Sequence, residues 1–443
     1  MKKYDVVIIG GGPAGLGLAY PLKSNGQKVA VVEENLWGGT CPNRGCDPKK
    51  VLLSAVEAKR KGEYLVEKGI QDTPAIKWDD LMKFEKTFTA PVSVGSKQGL
   101  VNAGIDVFDG HAEFESANIL SVGSDKIESD RFVVATGQRP GRLNIDGDEL
   151  LQTSTDFLSM DHLPKSLVFV GGGYIAFEFA AIAVAAGAEV HLIHHNDRPL
   201  KGFPKDGVDE LIDQLKKQGV QFHFNVNINK IIKDNSEIEL SDGQGLELKV
   251  EKGFVTAGRR PNDDTLNLNQ IGVETDQHGI KVNDHLQTTV ENIYAMGDVV
   301  SRKQPKLTPV SGFEAQYLSN ELLKYGDGIT YPAIPTLVYG MPKLAQVGLS
   351  VEEAQKQADK YDINKLDMTG WFSYKRTNEP VSKAEVVIEK ESNRIVGAFV
   401  ISSEADTVIN YLTMIINAKA TMSEVQSQIF AYPTEASDLE YFG

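Results

Sequence analysis

Lys2, Lys3 and Asp5 give way to an unbroken apolar run, Val6-Val7-Ile8-Ile9, which ends abruptly at Gly10. A short continuous run of this kind, closed by a turn signal, predicts a strand. Helix-compatible residues follow the glycines, and a second apolar run over residues 29–32 ends at the acid Glu33. The same order returns later: a strand at Ser166–Val170, glycines at 171–173, a helical stretch to about Ala186, a stop at Gly187 and a strand over 189–193. Residues 132–135, 254–257 and 293–296 each read as a strand feeding a turn. From about Tyr331 the texture changes to proline-spaced segments and alternating strands such as 384–388 and 395–401. A helix-rich stretch then leads to the tail Phe430-Ala431-Tyr432-Pro433-Thr434. The pattern predicts an α/β chain with two dinucleotide-binding units of Rossmann type, the first interrupted by the second, and a C-terminal α+β domain. The expected boundaries are 1–148, 149–264, 265–328 and 329–443.

The glycines sharpen this reading. Gly10-Gly11-Gly12-Pro13-Ala14-Gly15 stands between a strand and a helix, with Glu33 closing the next strand. That is the context in which glycines allow a tight turn and close backbone approach to a pyrophosphate, while the acid takes a ribose hydroxyl. Gly171-Gly172-Gly173-Tyr174-Ile175-Ala176 repeats the signature, with Ala176 as a tolerated third small residue.

The chain's only two cysteines, Cys41 and Cys46, lie between these units in Gly38-Gly39-Thr40-Cys41-Pro42-Asn43-Arg44-Gly45-Cys46-Asp47-Pro48-Lys49-Lys50. Five residues of regular helix advance about 7.5 Å, whereas bridged cysteines rarely have Cα atoms more than about 6.8 Å apart. If the two pair, the backbone between them must leave the regular helix, which Pro42 and Gly45 permit. The alternative is two unrelated core thiols. Zinc is disfavoured because nothing nearby completes a tetrahedral ligand set, so no metal site is expected. Residues 49–61 read as an ordinary amphipathic helix.

At 443 residues, 41% hydrophobic and 24% charged, the composition is that of a globular protein of about three domains. A formal charge of -15 argues against nucleic acid as a partner. No apolar run approaches the roughly 20 residues a bilayer span needs, and the first strand starts too early for a leader, so a cytoplasmic location and no membrane are expected.

Taken together, the motif GGTCxxxGCxPKK and the two fingerprints resemble the flavin-dependent pyridine nucleotide-disulfide oxidoreductases, the family of glutathione reductase, dihydrolipoamide dehydrogenase and mercuric reductase. The resemblance runs along essentially the whole chain, and it implies a homodimeric enzyme that binds FAD and a nicotinamide cofactor. It implies FAD along Gly10, Gly12 and Gly15, with Glu33 on the adenosine ribose, Asp298 on the ribityl chain and Thr308 near the ring. Thr40, Lys50, Thr136, Gly137 and Gly258 join that cofactor-binding set by the same analogy. Cys46 is implied as the thiol nearest the flavin and Cys41 as the exposed thiol that meets the acceptor, with Lys49 paired to Glu178 beside the ring. Gly171, Gly173 and Ala176 are implied to hold the nicotinamide cofactor's pyrophosphate.

The turn after the second unit's second strand, Ile193-His194-His195-Asn196-Asp197-Arg198-Pro199-Leu200-Lys201, bears on cofactor choice. NADH binders place an acid at the strand end, and NADPH binders place cations there. His194, Arg198 and Lys201 favour NADPH, with NADH as the alternative and a solvated polar turn as the bland reading.

One departure concerns the acceptor. Disulfide reductases of this family end in His-Pro-Thr followed by a Glu, and the histidine serves the exposed thiol across the dimer. Here Tyr432 stands in the histidine's place, Ser437 in the glutamate's with Asp438 next to it, and no histidine follows His285. An ordinary phenol ionises near pH 10, so it is a poor base at neutral pH but can donate a hydrogen bond. The expectation is a reductase that moves electrons from NADPH through FAD and a Cys41–Cys46 centre to a small-molecule disulfide or another thiol-reactive acceptor. A reductase of metal ions, quinones or oxygen is the alternative, and a redox-sensing flavoprotein a more distant one.

Overall fold

The structure is a computed structural model that describes residues 1–324 and 326–443. The chain forms two compact units: Met1–Lys50, Lys83–Gly141 and Gly258–Thr330 make the first, and Val51–Met82, Arg142–Ala257 and Tyr331–Gly443 the second.

The first unit is built on β1 (Lys2–Ile9), α1 (Pro13–Ser24), β2 (Val29–Glu33), α2 (Thr40–Arg44), the start of α3 (Cys46–Tyr64), the end of α4 (Trp78–Thr89), α5 (Val92–Asn102), β3 (Asp106–Asp109), β4 (Ala112–Ser116), β5 (Ile119–Val122) and β6 (Asp125–Val134). Its sheet runs β3-β2-β1-β6-β5-β4, and the strand Ile293–Ala295 pairs with the C-terminal half of β6 in parallel. Val6, Val7 and Ile8 of β1 are fully buried, as a run covered on both faces requires. Pro13 opens α1, where a missing N–H costs nothing, and Leu18, Ala19 and Leu22 turn inward.

The second unit contains an all-parallel sheet in the order Val220–Phe224, Glu189–His194, Ser166–Val170, Lys252–Val255. Beside it in sequence is an antiparallel meander, Lys230–Asp234, Glu237–Ser241 and Glu247–Val250, which the apolar pattern did not single out. The C-terminal part is a five-stranded antiparallel sheet in the order Thr336–Val338, Lys343–Gly348, Arg394–Ser402, Lys383–Glu389, Tyr361–Asp367. Helix Ala405–Ala418 buries Val408, Ile409 and Leu412 and ends at Lys419 in the left-handed conformation.

α3 is longer than its amphipathic stretch implies, starting at Cys46 rather than near Lys49, because Asp47 and Pro48 both suit a helix's first turn. Its later turns are held by charge. Lys343, which is buried, places its Nζ 3.1 Å from Glu57 Oε1 and 2.9 Å from Asp406 Oδ2. Burial alone would weaken the ammonium; Asp406 and Glu57 outweigh it and raise its pKa. Lys61 Nζ meets Glu404 at 2.6 Å, and Asn378 Nδ2 donates to the Tyr64 carbonyl at 2.6 Å.

Candidate active site

The two fingerprints share their geometry at the first glycine. Gly10 has φ +115°, and a Cβ there would stand 2.3 Å from the Ala135 carbonyl oxygen; Gly171 has φ +135° and would meet the Thr256 oxygen at 2.4 Å. Both are therefore required by the fold itself. The middle positions differ. A Cβ on Gly12 would meet only Gly39 Cα, at an ordinary 3.6 Å, and one on Gly173 would meet nothing within 4 Å. Protein packing does not demand glycine at either place. At the third position the units part: a Cβ on Gly15 would lie 1.9 Å from the Gly10 oxygen, while Ala176 carries its own Cβ fully buried.

Around the first fingerprint the residues fit FAD. Gly12 caps α1 with no side-chain cap, leaving the helix's first N–H groups for an anion. The Glu33 carboxylate accepts from the Gly11 and Asn35 N–H groups, both at 2.8 Å. Burial raises its pKa against those bonds. Asp298 lies in the tight turn Gly297–Val299, its pKa raised by burial. That turn is fixed by Glu314, which accepts from Gly297 N at 2.7 Å and forms a buried ion pair with Arg302. Thr136 ends the run after β6, donating to the Asn262 carbonyl at 2.6 Å, and Gly137 follows at φ +69°. Gly258, at φ +106°, has open space where a Cβ would be. Neither Asn262 nor the Arg302–Glu314 pair was singled out from sequence.

The cysteine segment is laid against this fingerprint. Gly39 has φ +70°, and a Cβ on it would approach Gly12 Cα to 2.5 Å. Thr40 then opens α2, which ends at Gly45 with φ -140° and ψ -110°, and Cys46 begins α3. The helix is broken between the cysteines, and the two thiols, both free, come within hydrogen-bonding reach. On the polypeptide alone Cys46 is exposed and Cys41 half-buried. Cys46 Sγ is 3.7 Å from Thr308 Oγ1 at the start of helix Thr308–Leu323.

The pair is polarised. The hydrogen bond from Cys41, followed by the contact with Thr308 and the charges of Lys49 and Lys50, brings Cys46 down to about 6 against the opposing effect of burial. The same hydrogen bond, with burial, pushes Cys41 far above the usual thiol range. Cys46 is thus the thiolate and Cys41 the protonated member. Lys49 is buried and Lys50 half-buried. Asp47, which the sequence reading passed over although it stands inside the motif, is exposed and places Oδ1 3.9 Å from Cys41 Sγ.

In the second unit, Glu178 is buried on helix Tyr174–Ala185 and accepts from Tyr339 N at 3.1 Å. The groups expected at a 2′-phosphate are not equivalent. The His194 ring lies over Gly172, and burial, then His195, lowers its pKa. Arg198 donates to the Phe203 carbonyl at 2.7 Å and meets Glu352 at 3.2 Å. Lys201 and His195 are exposed. Toward the C-terminus, Tyr432 is 74% exposed and stacks on Phe372, ring centroids 6.2 Å apart at 21°. Ser437 Oγ donates to the Thr434 carbonyl at 2.6 Å, and the carboxyl of the buried Asp438 is raised by burial.

Sequence comparison agrees with the polarised dithiol and the paired fingerprints. The family model described as pyridine nucleotide-disulphide oxidoreductase matches residues 4–315, and that of its dimerisation domain matches residues 334–440. The chain belongs to the pyridine nucleotide-disulphide oxidoreductases. Within that class it is an FAD-dependent NAD(P)H disulfide oxidoreductase. It is 29% identical over 444 residues to the dihydrolipoyl dehydrogenase of Halobacterium salinarum, covering 97% of this chain and 93% of that protein. It is 28% identical over 446 residues to the glutathione reductase of Burkholderia cepacia, covering 99% and 98%. Its fold matches the HOCl-induced flavoprotein disulfide reductase RclA from Escherichia coli, solved as a Cu(II) complex, with a TM-score of 0.91 at 25% identity over 100% of this chain and 99% of that one. Among the described residues, no helix is long and apolar enough to cross a membrane, and no group of three or more His, Cys, Asp and Glu is placed to hold a metal ion.

Proposed function

We propose that this chain is a homodimeric, NADPH-preferring reductase of small-molecule disulfides in which Cys46 faces the FAD and Cys41 the acceptor. The observation that carries the reading is the polarised thiol pair, with the charge on Cys46 and the proton on Cys41. When bound, FAD supplies a two-electron carrier between the nicotinamide and the cysteines. Gly10, Gly12 and Gly15, with the N-terminus of α1, hold its pyrophosphate, and Glu33 takes a ribose hydroxyl. Asp298 takes the ribityl chain, while Thr308 and Lys49 line the ring. Thr40, Lys50, Thr136, Gly137 and Gly258 shape the rest of that cleft. Gly171, Gly173 and Ala176 receive the nicotinamide cofactor. Residues 1–148 and 265–328 serve FAD, 149–264 the nicotinamide nucleotide and 329–443 the dimer. Lys201 supports the choice of NADPH, because the strand Glu189–His194 ends without a carboxylate and Lys201 is exposed with its charge available. Tyr432, exposed in the domain whose family model is one of dimerisation, reaches the thiols across the dimer as a hydrogen-bond donor. Cytoplasmic action suits a catalytic cysteine pair whose disulfide is transient.

Anaerobic titration with NADPH tests this. The protein should take up two electrons beyond those its FAD holds and expose two titratable thiols; uptake that stops at the FAD with no thiols would refute it. Tyr432→Phe should slow reoxidation by the best disulfide and leave NADPH-driven reduction unchanged.

A second reading, reduction of a metal ion, is favoured by one observation: the relative RclA was solved with Cu(II). NADPH oxidation driven by Cu(II) but by no disulfide would select it.

A further inference from the structure

Asp47 is the exposed charge of the cysteine segment. Lys49 is buried, Lys50 is half-buried, and Arg44, at the end of α2, is half-buried with its charge attracted by Glu33. The break at Gly45 turns Asp47 back toward Cys41, so that its Oδ1 lies 3.9 Å from the sulfur. This is the outer edge of a sulfur hydrogen bond, of the loose kind that tightens when substrate arrives. Its charge contributes to holding the proton on Cys41. A second observation has the same sign: from Ala420 to Gly443 the chain carries Glu424, Glu435, Asp438 and Glu440 and no Lys, Arg or His. This is the segment that bears Tyr432.

We infer that Asp47 sets the charge class of the acceptor, selecting neutral and cationic low-molecular-weight disulfides and rejecting polyanionic ones such as glutathione disulfide. The inference rests on the reading that Cys41 is the thiol that meets the acceptor.

The exchange balances without a further reactant. Cys41 passes its proton to the Cys46 thiolate and its sulfur attacks one sulfur of R–S–S–R. A Cys41–S–S–R bond forms and RS⁻ leaves. RS⁻ takes the proton from Cys46 and departs as RSH. The Cys46 thiolate then attacks Cys41 Sγ, closing the Cys41–Cys46 disulfide and releasing a second RS⁻. The dithiol has lost two electrons and the acceptor has gained them. At the first attack the substituents on R pass the Asp47 carboxylate. An ammonium there is attracted and a carboxylate repelled, each by about fivefold in rate for one unit charge at 4 Å in water.

The holoenzyme is first titrated anaerobically with NADPH, then reoxidised with cystamine (cationic), 2-hydroxyethyl disulfide (neutral) and glutathione disulfide (anionic). In the parent, kcat/KM should rank cystamine first and glutathione disulfide last. With rates normalised to the neutral disulfide, Asp47→Asn should lower cystamine about fivefold and raise glutathione disulfide about fivefold. Asp47→Glu should retain the parental ranking. The difference between parent and Asp47→Asn should shrink as salt is raised. If the parent releases thiols on reduction but Asp47→Asn leaves the normalised rates unchanged, the inference fails alone. If no thiols are released, the reading beneath it fails as well.

Discussion

Cys41 gives its hydrogen bond to Cys46, and so the two thiols of one short segment carry opposite loads: a proton on the first and a negative charge on the second. A thiolate at Cys46 at neutral pH is the direct consequence.

Acidification should remove it. In the two-electron-reduced protein, the long-wavelength absorbance of a thiolate beside FAD should bleach with an apparent pKa near the value of about 6 found for Cys46. Cys41→Ser replaces the thiol donor, so the midpoint should move. Cys46→Ser should abolish the band at every pH. A band that survives unchanged in Cys46→Ser would assign the charge to another group.

The fingerprints make a second contrast. Gly10→Ala combines positive φ with a collision against the Ala135 carbonyl, so it should cost several kcal/mol and yield little folded protein. Gly12→Ala meets only Gly39 Cα at 3.6 Å, so the apoprotein should fold normally and bind FAD more weakly. Thermal unfolding with and without added FAD separates the two cases.

Lys201→Ala should raise the KM for NADPH by about tenfold or more, the loss of one charge-assisted contact of about 1.5–3 kcal/mol, and leave that for NADH nearly unaltered. Arg198→Ala should behave differently, because its guanidinium is committed to the Phe203 carbonyl and Glu352. Its effect should fall on stability as well as on both cofactors. Equal efficiency of the parent with both nucleotides would refute the assignment.

His191 and His223 stand with Nδ1 and Nε2 3.0 Å apart on neighbouring strands, and Glu189 is 3.3 Å from His191. Burial lowers both pKa values, aided in His223 by His191 and opposed in His191 by Glu189. Unfolded imidazoles titrate near 6.5, so below that pH the unfolded chain binds more protons than the folded one. The stability this pair contributes is present above about pH 6.5 and is lost as pH falls through the lower folded values. His223→Gln should flatten the dependence of Tm on pH between neutral and mildly acidic buffer, and an unchanged slope would show that other groups govern it.

The strands, both glycine turns and the cysteine segment were legible because each is a local pattern of apolar runs and turn residues. Asp47 was legible too, yet its meaning depends on Gly45 folding it back onto Cys41, which no periodicity conveys. The Lys343 contacts with Glu57 and Asp406 join residues far apart in the chain, each an unremarked charge in its own segment. Nor does composition show that the His194 ring lies over Gly172 while Lys201 is exposed. Composition likewise does not show that Arg198 is paired with Glu352.

α3 is 19 residues long, about 28 Å of helix, and Cys46 is its first residue. Glu57, Lys61 and Tyr64 at its other end are tethered to Lys343, Glu404 and Asn378. A truncation near residue 330 would strip away all three tethers at once and leave the outer turns of the helix to the apolar contacts of Leu52, Leu53 and Val56. Minimisation by deleting the C-terminal domain would therefore cost the redox helix its polar anchors. A chimera carrying another protein's C-terminal domain would inherit a redox helix without its splint unless those three partners travelled with it.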